Sequence, residues 1–173
     1  RKLMNSNKNL VFLGMMGSGK SSVGSLVSKK LNIPFIDIDN LIMQITGMTI
    51  SDIFEKKGED YFRKLEEKIT LKSLKKIKSV VSLGGGGFIN NKIRKEILAS
   101  HFSFWLNWDE SILIRRIKGS KKRPLVFKST DQEIKRIIKE RSKIYLNAQF
   151  KINCNKLTKK EIVKKIIKIY ELN

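Results

Sequence analysis

The chain has 173 residues, of which 37 are Lys or Arg and 16 are Asp or Glu, so its formal net charge at pH 7 is +21. A hydrophobic share of 40% and a charged share of 31% are typical of a globular protein and exclude a disordered one. No apolar run approaches the ~20 residues that a membrane span needs. We therefore expect a single domain over residues 1–173, a monomer with no membrane partner.

Residue usage restricts the location and the chemistry further. Residues 1–8 are polar and lack the apolar core of a signal peptide, which predicts a cytoplasmic protein. Cys154 is the single cysteine, so it cannot form an internal disulfide, and no Cys/His cluster resembles a zinc site. The single histidine, His101, is expected to be an ordinary surface or loop residue.

The excess of positive charge permits three interpretations. A basic chain can bind nucleic acid, and a positive field can attract an anionic small molecule. The third interpretation is compositional drift. The lysines are spread along the chain, as in "KSLKKIK" and "KKEIVKKIIKIY", and are not gathered with interleaved aromatic residues. This pattern favours drift, and we expect no nucleic-acid partner.

Strand-length apolar runs alternate with stretches of helical periodicity along the chain. The predicted strands cover residues 9–13, 35–38, 79–83, 102–106 and 150–154. Between them, "KSSVGSLVSKKL" places its apolar residues on one helix face, and "STDQEIKRIIKERSKIYL" begins at a Ser/Thr with Glu133 close behind. Alternation of this kind predicts right-handed βαβ units, and hence one three-layer α/β domain with a five-stranded parallel sheet between helices.

Helix-end signals and two unusual insertions refine this picture. Ser51 is the predicted N-cap of helices that break near Gly58, while Thr158 and Glu161 form a predicted capping box for the last helix. Residues 40–75 hold more helix than one crossover needs, which predicts a small subdomain over the sheet edge. Residues 118–129, "KGSKKRPLVFKS", are predicted to form a mobile loop. Additions at such places usually build substrate sites and lids.

The loop after the first strand carries the most specific motif. "GMMGSGKS" matches G-x-x-x-x-G-K-[ST] between a strand and a helix, which is the context that a P loop requires. Its glycines let backbone N–H groups converge on phosphate oxygens, and the helix beginning near Gly19 points its positive end at the same anion. Lys20 then reaches the β- and γ-phosphates, and the Ser21 hydroxyl ligates Mg²⁺. The motif predicts a nucleoside triphosphate site but does not distinguish a kinase from a switch or a motor.

Charged residues downstream narrow the chemistry. "FIDID" places Asp37 and Asp39 at the carboxyl end of the second strand, where open α/β sheets bind ligands. One of them could serve a metal and the other a substrate hydroxyl, although a helix N-cap is an equal alternative for either. "GEDYFRKLEE" places Arg63 one helical turn before Glu66. The pair is either a surface ion pair or an arginine held by a carboxylate so that its fork meets an anionic substrate.

Four consecutive glycines, Gly84 to Gly87, follow the third predicted strand in "LGGGGF". Such a run costs chain entropy and packs no side chain, so the expected gain is a close approach of the backbone to a ligand. A loose turn is the alternative.

The motifs "GMMGSGKSSVG", "FIDID", "GEDYFR", "LGGGG", "KKRPL" and "RSKIY", in this order and spacing, resemble those of the shikimate kinase family. The resemblance extends from about residue 9 to the last helix. It implies the nucleoside-monophosphate-kinase-like P-loop fold, with a mobile substrate subdomain and a lid. It also implies the reaction of ATP with shikimate, which gives ADP and 3-phosphoshikimate for aromatic amino-acid biosynthesis.

The resemblance implies a role for each matching residue. Asp39 is similar to the residue that holds the ring hydroxyls and orients, or takes the proton from, the attacking 3-hydroxyl. Arg63 and Arg141 resemble the pair that clamps the substrate carboxylate, and the glycines resemble the loop lining that pocket. The implied substrate contacts are Asp39, Arg63, Gly84, Gly85, Gly86 and Arg141. The implied catalytic residues are Lys20, Asp39 and Arg123, the last being the lid arginine in "KKRPL".

The nucleotide and metal contacts follow in the same way. Arg116 lies where the family stacks an arginine on adenine, and Asn155 lies near a second adenine contact where little sequence matches. The predicted ATP-binding residues are Gly14, Gly17, Ser18, Gly19, Lys20, Ser21, Ser22, Arg116, Arg123 and Asn155. The predicted metal partners, for a Mg²⁺ cofactor, are Ser21 and, as an outer-shell partner, Asp37.

The sequence departs from the family pattern in a few places. "RSKIY" lacks the usual proline between arginine and tyrosine, methionines replace a common proline in the P loop, and Gly87 is a fourth glycine. None of these changes removes a charged group from the implied site. The alternatives are another small-molecule kinase of the same fold, for gluconate or a nucleoside monophosphate, and a basic nucleic-acid-binding P-loop ATPase.

Overall fold

A computed structural model describes residues 7–120 and 129–173. Five strands in this part of the chain form one parallel sheet in the order β2-β3-β1-β4-β5. Their bounds are Leu10–Leu13 (β1), Phe35–Asp37 (β2), Val80–Ser82 (β3), Phe102–Asn107 (β4) and Phe150–Asn153 (β5). Each bound lies within one residue of its predicted value, so the parallel α/β prediction is confirmed.

Helices connect successive strands and cover both faces of the sheet. Their bounds in the described residues are Lys20–Leu31 (α1), Ile38–Thr46 (α2), Ile50–Lys57 (α3), Glu59–Leu74 (α4), Asn91–Ser100 (α5), Glu110–Lys118 (α6), Asp131–Tyr145 (α7) and Lys159–Leu172 (α8). A short 3₁₀ helix, Gly87–Ile89, precedes α5. None of these described helices has the length and apolarity that crossing a membrane requires.

The pleat of β1 divides the interior into two hydrophobic clusters. Val11 and Leu13 face a cluster built largely with α2 to α7, whereas Leu10 and Phe12 face a cluster built with α1 and α8. Successive side chains on a strand point to opposite faces, and a central parallel strand is covered on both. β1 is therefore apolar throughout, and the P loop that follows it starts from a rigid base.

Most helix ends match their sequence signals. Thr130 caps α7 through the Glu133 backbone N–H, and Thr158 and Glu161 form the predicted capping box of α8. The predicted break at Gly58 separates α3 from α4. The prediction for Ser51 is wrong: Thr49, in extended conformation, caps α3 and accepts a 3.1 Å hydrogen bond from the Asp52 N–H, so Ser51 already lies inside the first turn.

His101 differs from its prediction in one respect. It lies in the loop after α5, but its side chain is only 7% exposed. Its Nδ1 accepts a 3.3 Å hydrogen bond from the Asn9 N–H, and burial lowers the pKa of its imidazole. His101 thus joins β4 to the entry of β1 and is not an ordinary surface residue.

Candidate active site

The P loop begins where β1 ends and continues into α1. Gly17 and Gly19 have φ angles of 81° and 87°, which lie in the left-handed region that side chains disfavour. Gly19 occupies the N-cap of α1 without a side-chain cap, so the helix N-terminus is open to an anion. The Lys20 side chain is buried and donates to the carbonyls of Gly14 (2.8 Å) and Met15 (3.0 Å). The loop has the shape that phosphate binding requires.

Ser21 and Asp37 come together at the carboxyl ends of β1 and β2. The Ser21 hydroxyl donates to Oδ2 of Asp37, while Oδ1 of Asp37 accepts a 3.1 Å hydrogen bond from the Asn40 N–H. Asp37 is therefore the N-cap of α2 and at the same time the partner of Ser21. Its role toward a metal stays a prediction. A hydroxyl beside a carboxylate is a pair of hard oxygen donors of the kind that suits Mg²⁺.

A cleft of about 780 Å³ joins the P loop to the start of α2 and the glycine loop after β3. Its lining includes residues from both halves of the predicted site, among them Lys20, Ser21, Asp39, Gly85 and Arg116. The cleft lies at the carboxyl edge of the parallel sheet, where the strand order reverses around β1 and ligands generally bind in open α/β folds.

Charged side chains approach the backbone of the glycine loop so closely that they leave little room for a Cβ atom. A Cβ atom added to Gly84 would lie 2.8 Å from both Oδ1 of Asp39 and Oε2 of Glu66. A Cβ added to Gly86 would lie 2.5 Å from Nη1 of Arg63. Neither glycine has a positive φ, so steric room and not backbone freedom explains them. The groups that approach these two glycines are side chains of the protein, and the approach of a ligand to the loop stays a prediction.

Arg63 and Arg141 reach the same loop from different helices. Arg63, on α4, donates to Oε1 of the buried Glu66 at 3.0 Å, so this ion pair is not a surface pair. Arg141, on α7, donates to the carbonyl of Gly85 at 3.2 Å. Burial raises the pKa of the Glu66 carboxyl, and the positive charge of Arg63 opposes that rise. Two guanidinium groups thus meet on one glycine floor.

Tyr145, the last residue of the "RSKIY" motif, supports the glycine loop. Its hydroxyl donates to the Gly85 carbonyl at 2.7 Å, and burial raises the pKa of its phenol to about 12. The phenol therefore keeps its proton and its donor function at any ordinary pH. It holds the same carbonyl as Arg141 and fixes the floor of the cleft.

Of the two residues predicted to contact the nucleotide base, Arg116 lines the cleft and Asn155 is bonded to Asp109. Arg116 is exposed at the cleft and donates to the Gly17 carbonyl at 3.1 Å. The Asn155 amide is bonded at both ends to Asp109, through the backbone N–H at 2.8 Å and through Oδ1 at 2.9 Å. Its adenine contact stays a prediction. Arg123 and most of the predicted lid lie outside the described residues.

Trp108 is an aromatic neighbour of the P loop that the motifs did not include. It follows β4 directly, in "NWDES", and its indole N–H donates to the Ser18 carbonyl at 2.8 Å. Its position in the sequence could have indicated this contact. An aromatic residue with a polar N–H just after a strand lies at the ligand-binding edge of a parallel sheet.

Comparisons with known proteins agree with this geometry. The family model described as Shikimate kinase matches residues 16–171. A shikimate kinase of Thermodesulfovibrio yellowstonii is 39% identical over 165 residues, which is 95% of each chain. The structure of a shikimate kinase from Acinetobacter baumannii in complex with shikimate superposes with a TM-score of 0.93 at 28% identity, over 99% of this chain and 97% of that one. The structure of the Aquifex aeolicus shikimate kinase gives a TM-score of 0.85 at 39% identity, over 94% and 96%.

The parallel sheet with a P loop at its carboxyl edge defines a P-loop nucleotide-binding fold, and the family match makes the chain an ATP-dependent kinase of that fold. Within that class, the family match and the identities over nearly the whole chain decide the relationship. The chain belongs to the shikimate kinase family.

Proposed function

We propose that the chain transfers the terminal phosphoryl group of ATP to the 3-hydroxyl of shikimate, giving 3-phosphoshikimate and ADP. The observation that carries the proposal is the convergence of Arg63 and Arg141 on the glycine loop, whose Gly85 lines the same cleft as the P loop. The solved relative that binds shikimate supports the choice of substrate.

The two arginines suit a carboxylate. A guanidinium presents a planar fork of N–H donors that matches a carboxylate, and two forks on one floor fix its orientation. Glu66 holds the Arg63 fork from behind, and the Gly85 carbonyl holds that of Arg141. An acid bound there has its far end directed along the cleft toward the nucleotide.

Asp39 is proposed to orient the attacking hydroxyl. It lies in the first turn of α2, its carboxylate packs against Gly84, and it lines the same cleft as the P loop. Phosphoryl transfer has a loose transition state, so the reaction needs positioning and charge stabilisation more than early deprotonation. An accepting carboxylate satisfies that need whether or not it finally takes the proton.

The P loop residues are proposed to bind the triphosphate. The N–H groups of the first turn of α1 follow Gly19 at the N-cap, and the Lys20 ammonium can exchange its loop carbonyls for phosphate oxygens. Lys20 and, by resemblance, Arg123 would stabilise negative charge on the transferred group.

Ser21 and Asp37 fit Mg²⁺ as the proposed cofactor. In the described residues no group of three or more His, Cys, Asp or Glu side chains could cage a metal, which suits an ion that is held by few protein oxygens together with water and phosphates. When bound with ATP, Mg²⁺ neutralises charge on the phosphate oxygens. The pair would hold it directly through the serine hydroxyl and from the outer shell through the carboxylate.

The remaining predictions stay proposals of the same kind. Residues 40–75, which contain most of α2 and all of α3 and α4, are proposed as the substrate subdomain. Residues 118–129 are proposed as the lid, within one domain over residues 1–173. The protein is proposed to act as a cytoplasmic monomer with no nucleic-acid partner.

A coupled assay of ADP release tests the function directly. The purified chain is given Mg·ATP with shikimate, gluconate, AMP or single-stranded RNA in separate reactions, with EDTA as the metal-free control. Shikimate-dependent turnover that stops in EDTA is the expected result. Faster turnover with gluconate or AMP, or ATP hydrolysis stimulated by RNA and suppressed by salt, would contradict the proposal.

A further inference from the structure

Trp108 connects the P loop to Arg116 of α6, in the part of the cleft proposed to bind the nucleotide (the nucleotide half). Its indole N–H donates to the Ser18 carbonyl at 2.8 Å, and the Arg116 guanidinium carbon lies 4.0 Å from the centre of its ring. Arg116 in turn donates to the Gly17 carbonyl at 3.1 Å. Two adjacent P-loop carbonyls are therefore held by two side chains that also stack on each other.

The indole is well placed to hold its neighbours still. Trp108 is half-buried at the end of β4, and it packs against both hydrophobic clusters of the sheet. Arg116 is exposed and extends from α6 across the mouth of the cleft. The guanidinium plane of a flexible arginine is held in one orientation when it stacks on an aromatic ring. The face of an indole ring attracts a cation placed over it.

The hydrogen bond to Ser18 also orients the backbone that meets the phosphates. In a trans peptide the carbonyl and the next N–H point in opposite directions. Because the Ser18 carbonyl points to Trp108, the Gly19 N–H points away from it, and Gly19 is the residue that opens the N-terminus of α1. A fixed donor at that point costs no reorganisation when an anion binds.

We propose that Trp108 is a positioning residue for the nucleotide: it orients the Gly19 N–H toward the phosphates and holds the Arg116 plane for the purine base. The proposal rests on the proposed ATP site and adds to it a residue outside the motifs. Trp108 acts through Ser18 and Arg116, so its loss weakens nucleotide binding and leaves the acid end of the cleft unchanged.

Titration with ADP alone, by calorimetry and intrinsic fluorescence, tests the proposal without any turnover of shikimate. Trp108→Phe keeps a ring under Arg116 but loses the N–H donor, and Trp108→Leu loses both. One neutral hydrogen bond corresponds to about a two- to tenfold change in affinity. We expect roughly that weakening for Phe and a further ~threefold or more for Leu, since the cation–π contact is also lost.

The second tryptophan provides the spectroscopic control. Trp105 is buried on β4, contacts Tyr145 and lies close to the backbone of Gly14. ADP is expected to change the emission of wild type and of Trp105→Phe more than that of Trp108→Phe. In steady-state assays the Trp108 variants are expected to raise the KM for ATP while the KM for shikimate stays within about twofold.

Several outcomes would overturn the proposal. They are equal ADP affinity in all variants, an ADP-dependent emission change as large in Trp108→Phe as in wild type, and parallel increases in both KM values. If Trp108→Leu does not fold, as judged by its thermal unfolding, Trp108→Phe decides alone. A wild type that binds ADP but does not phosphorylate shikimate would contradict the proposed function and leave this test of Trp108 intact.

Discussion

The two halves of the cleft are built in different ways. The nucleotide half is formed largely by one continuous segment, because the P loop and the first turn of α1 supply glycine, lysine and serine within a few residues. The acid half is assembled from α4, the loop after β3, and α7, which are far apart in the chain. A backbone-based phosphate site can be encoded locally, whereas a two-arginine clamp requires the tertiary fold.

The largest expected effect tests the nucleotide half. Lys20→Met removes a positive charge aimed at the phosphates, and the loss of one such contact typically costs about 10²–10³ in kcat. Steady-state kinetics measure this change, with Lys30→Met, an exposed lysine at the end of α1, as the control. A loss of less than about tenfold would show that the nucleotide half does not depend on this lysine.

The next effect tests the acid half. Arg141→Lys keeps a positive charge but loses the planar fork and its bond to the Gly85 carbonyl. The KM for shikimate is expected to rise on the order of ten- to a hundredfold, since charge-assisted hydrogen bonds contribute about 1.5–3 kcal/mol. Arg136→Lys, exposed on the same helix, serves as the control. A rise in the KM for ATP instead would show that Arg141 contributes to nucleotide binding and not to binding of the acid.

A third variant tests whether the glycine floor is steric. The Cβ of Gly86→Ala would meet the Arg63 guanidinium, which lies at the end of a flexible side chain and can move aside. We expect the KM for shikimate to rise about tenfold, as for the loss of one charged hydrogen bond, with little change in the unfolding temperature. Ser100→Ala, exposed at the end of α5, is the control. An unchanged KM would mean that Arg63 needs no such room.

The smallest effect concerns pH. Burial raises the pKa of Glu66, so this carboxyl takes up its proton at a higher pH than an exposed glutamate as the solution is acidified. Protonation removes the negative partner of Arg63, and the KM for shikimate should therefore rise as the pH falls toward that raised pKa.

Glu66→Gln imitates the protonated state and separates this effect from others. Its KM at neutral pH should be raised about two- to fivefold, by the loss of one ionic partner, and should depend less on pH. Because folded Glu66 binds its proton more tightly than unfolded Glu66, ionisation opposes folding at neutral pH, so the variant should not unfold earlier. Glu67→Gln on the same helix is the control. The same pH slope in Glu66→Gln and wild type would exclude Glu66 as the source.

The sequence by itself determined the strand positions, the parallel α/β class, the P loop and most helix caps, because each depends on residues close together in the chain. The ordered motifs also indicated the family, and they predicted the residues of the proposed clamp. The prediction for Ser51 was wrong, because Thr49 caps α3 in its place. His101 lies in a loop as predicted, but its side chain is 7% exposed.

Only the tertiary structure showed why glycine suits positions 84 and 86, since the carboxylates and the guanidinium that lie where a Cβ would be come from α2 and α4. It likewise decided that Tyr145 and Arg141 share the Gly85 carbonyl, and that Trp108 reaches Ser18 across 90 residues of sequence. Side-chain contacts between distant segments depend on how the helices pack on the sheet, and no local pattern of residues records that packing.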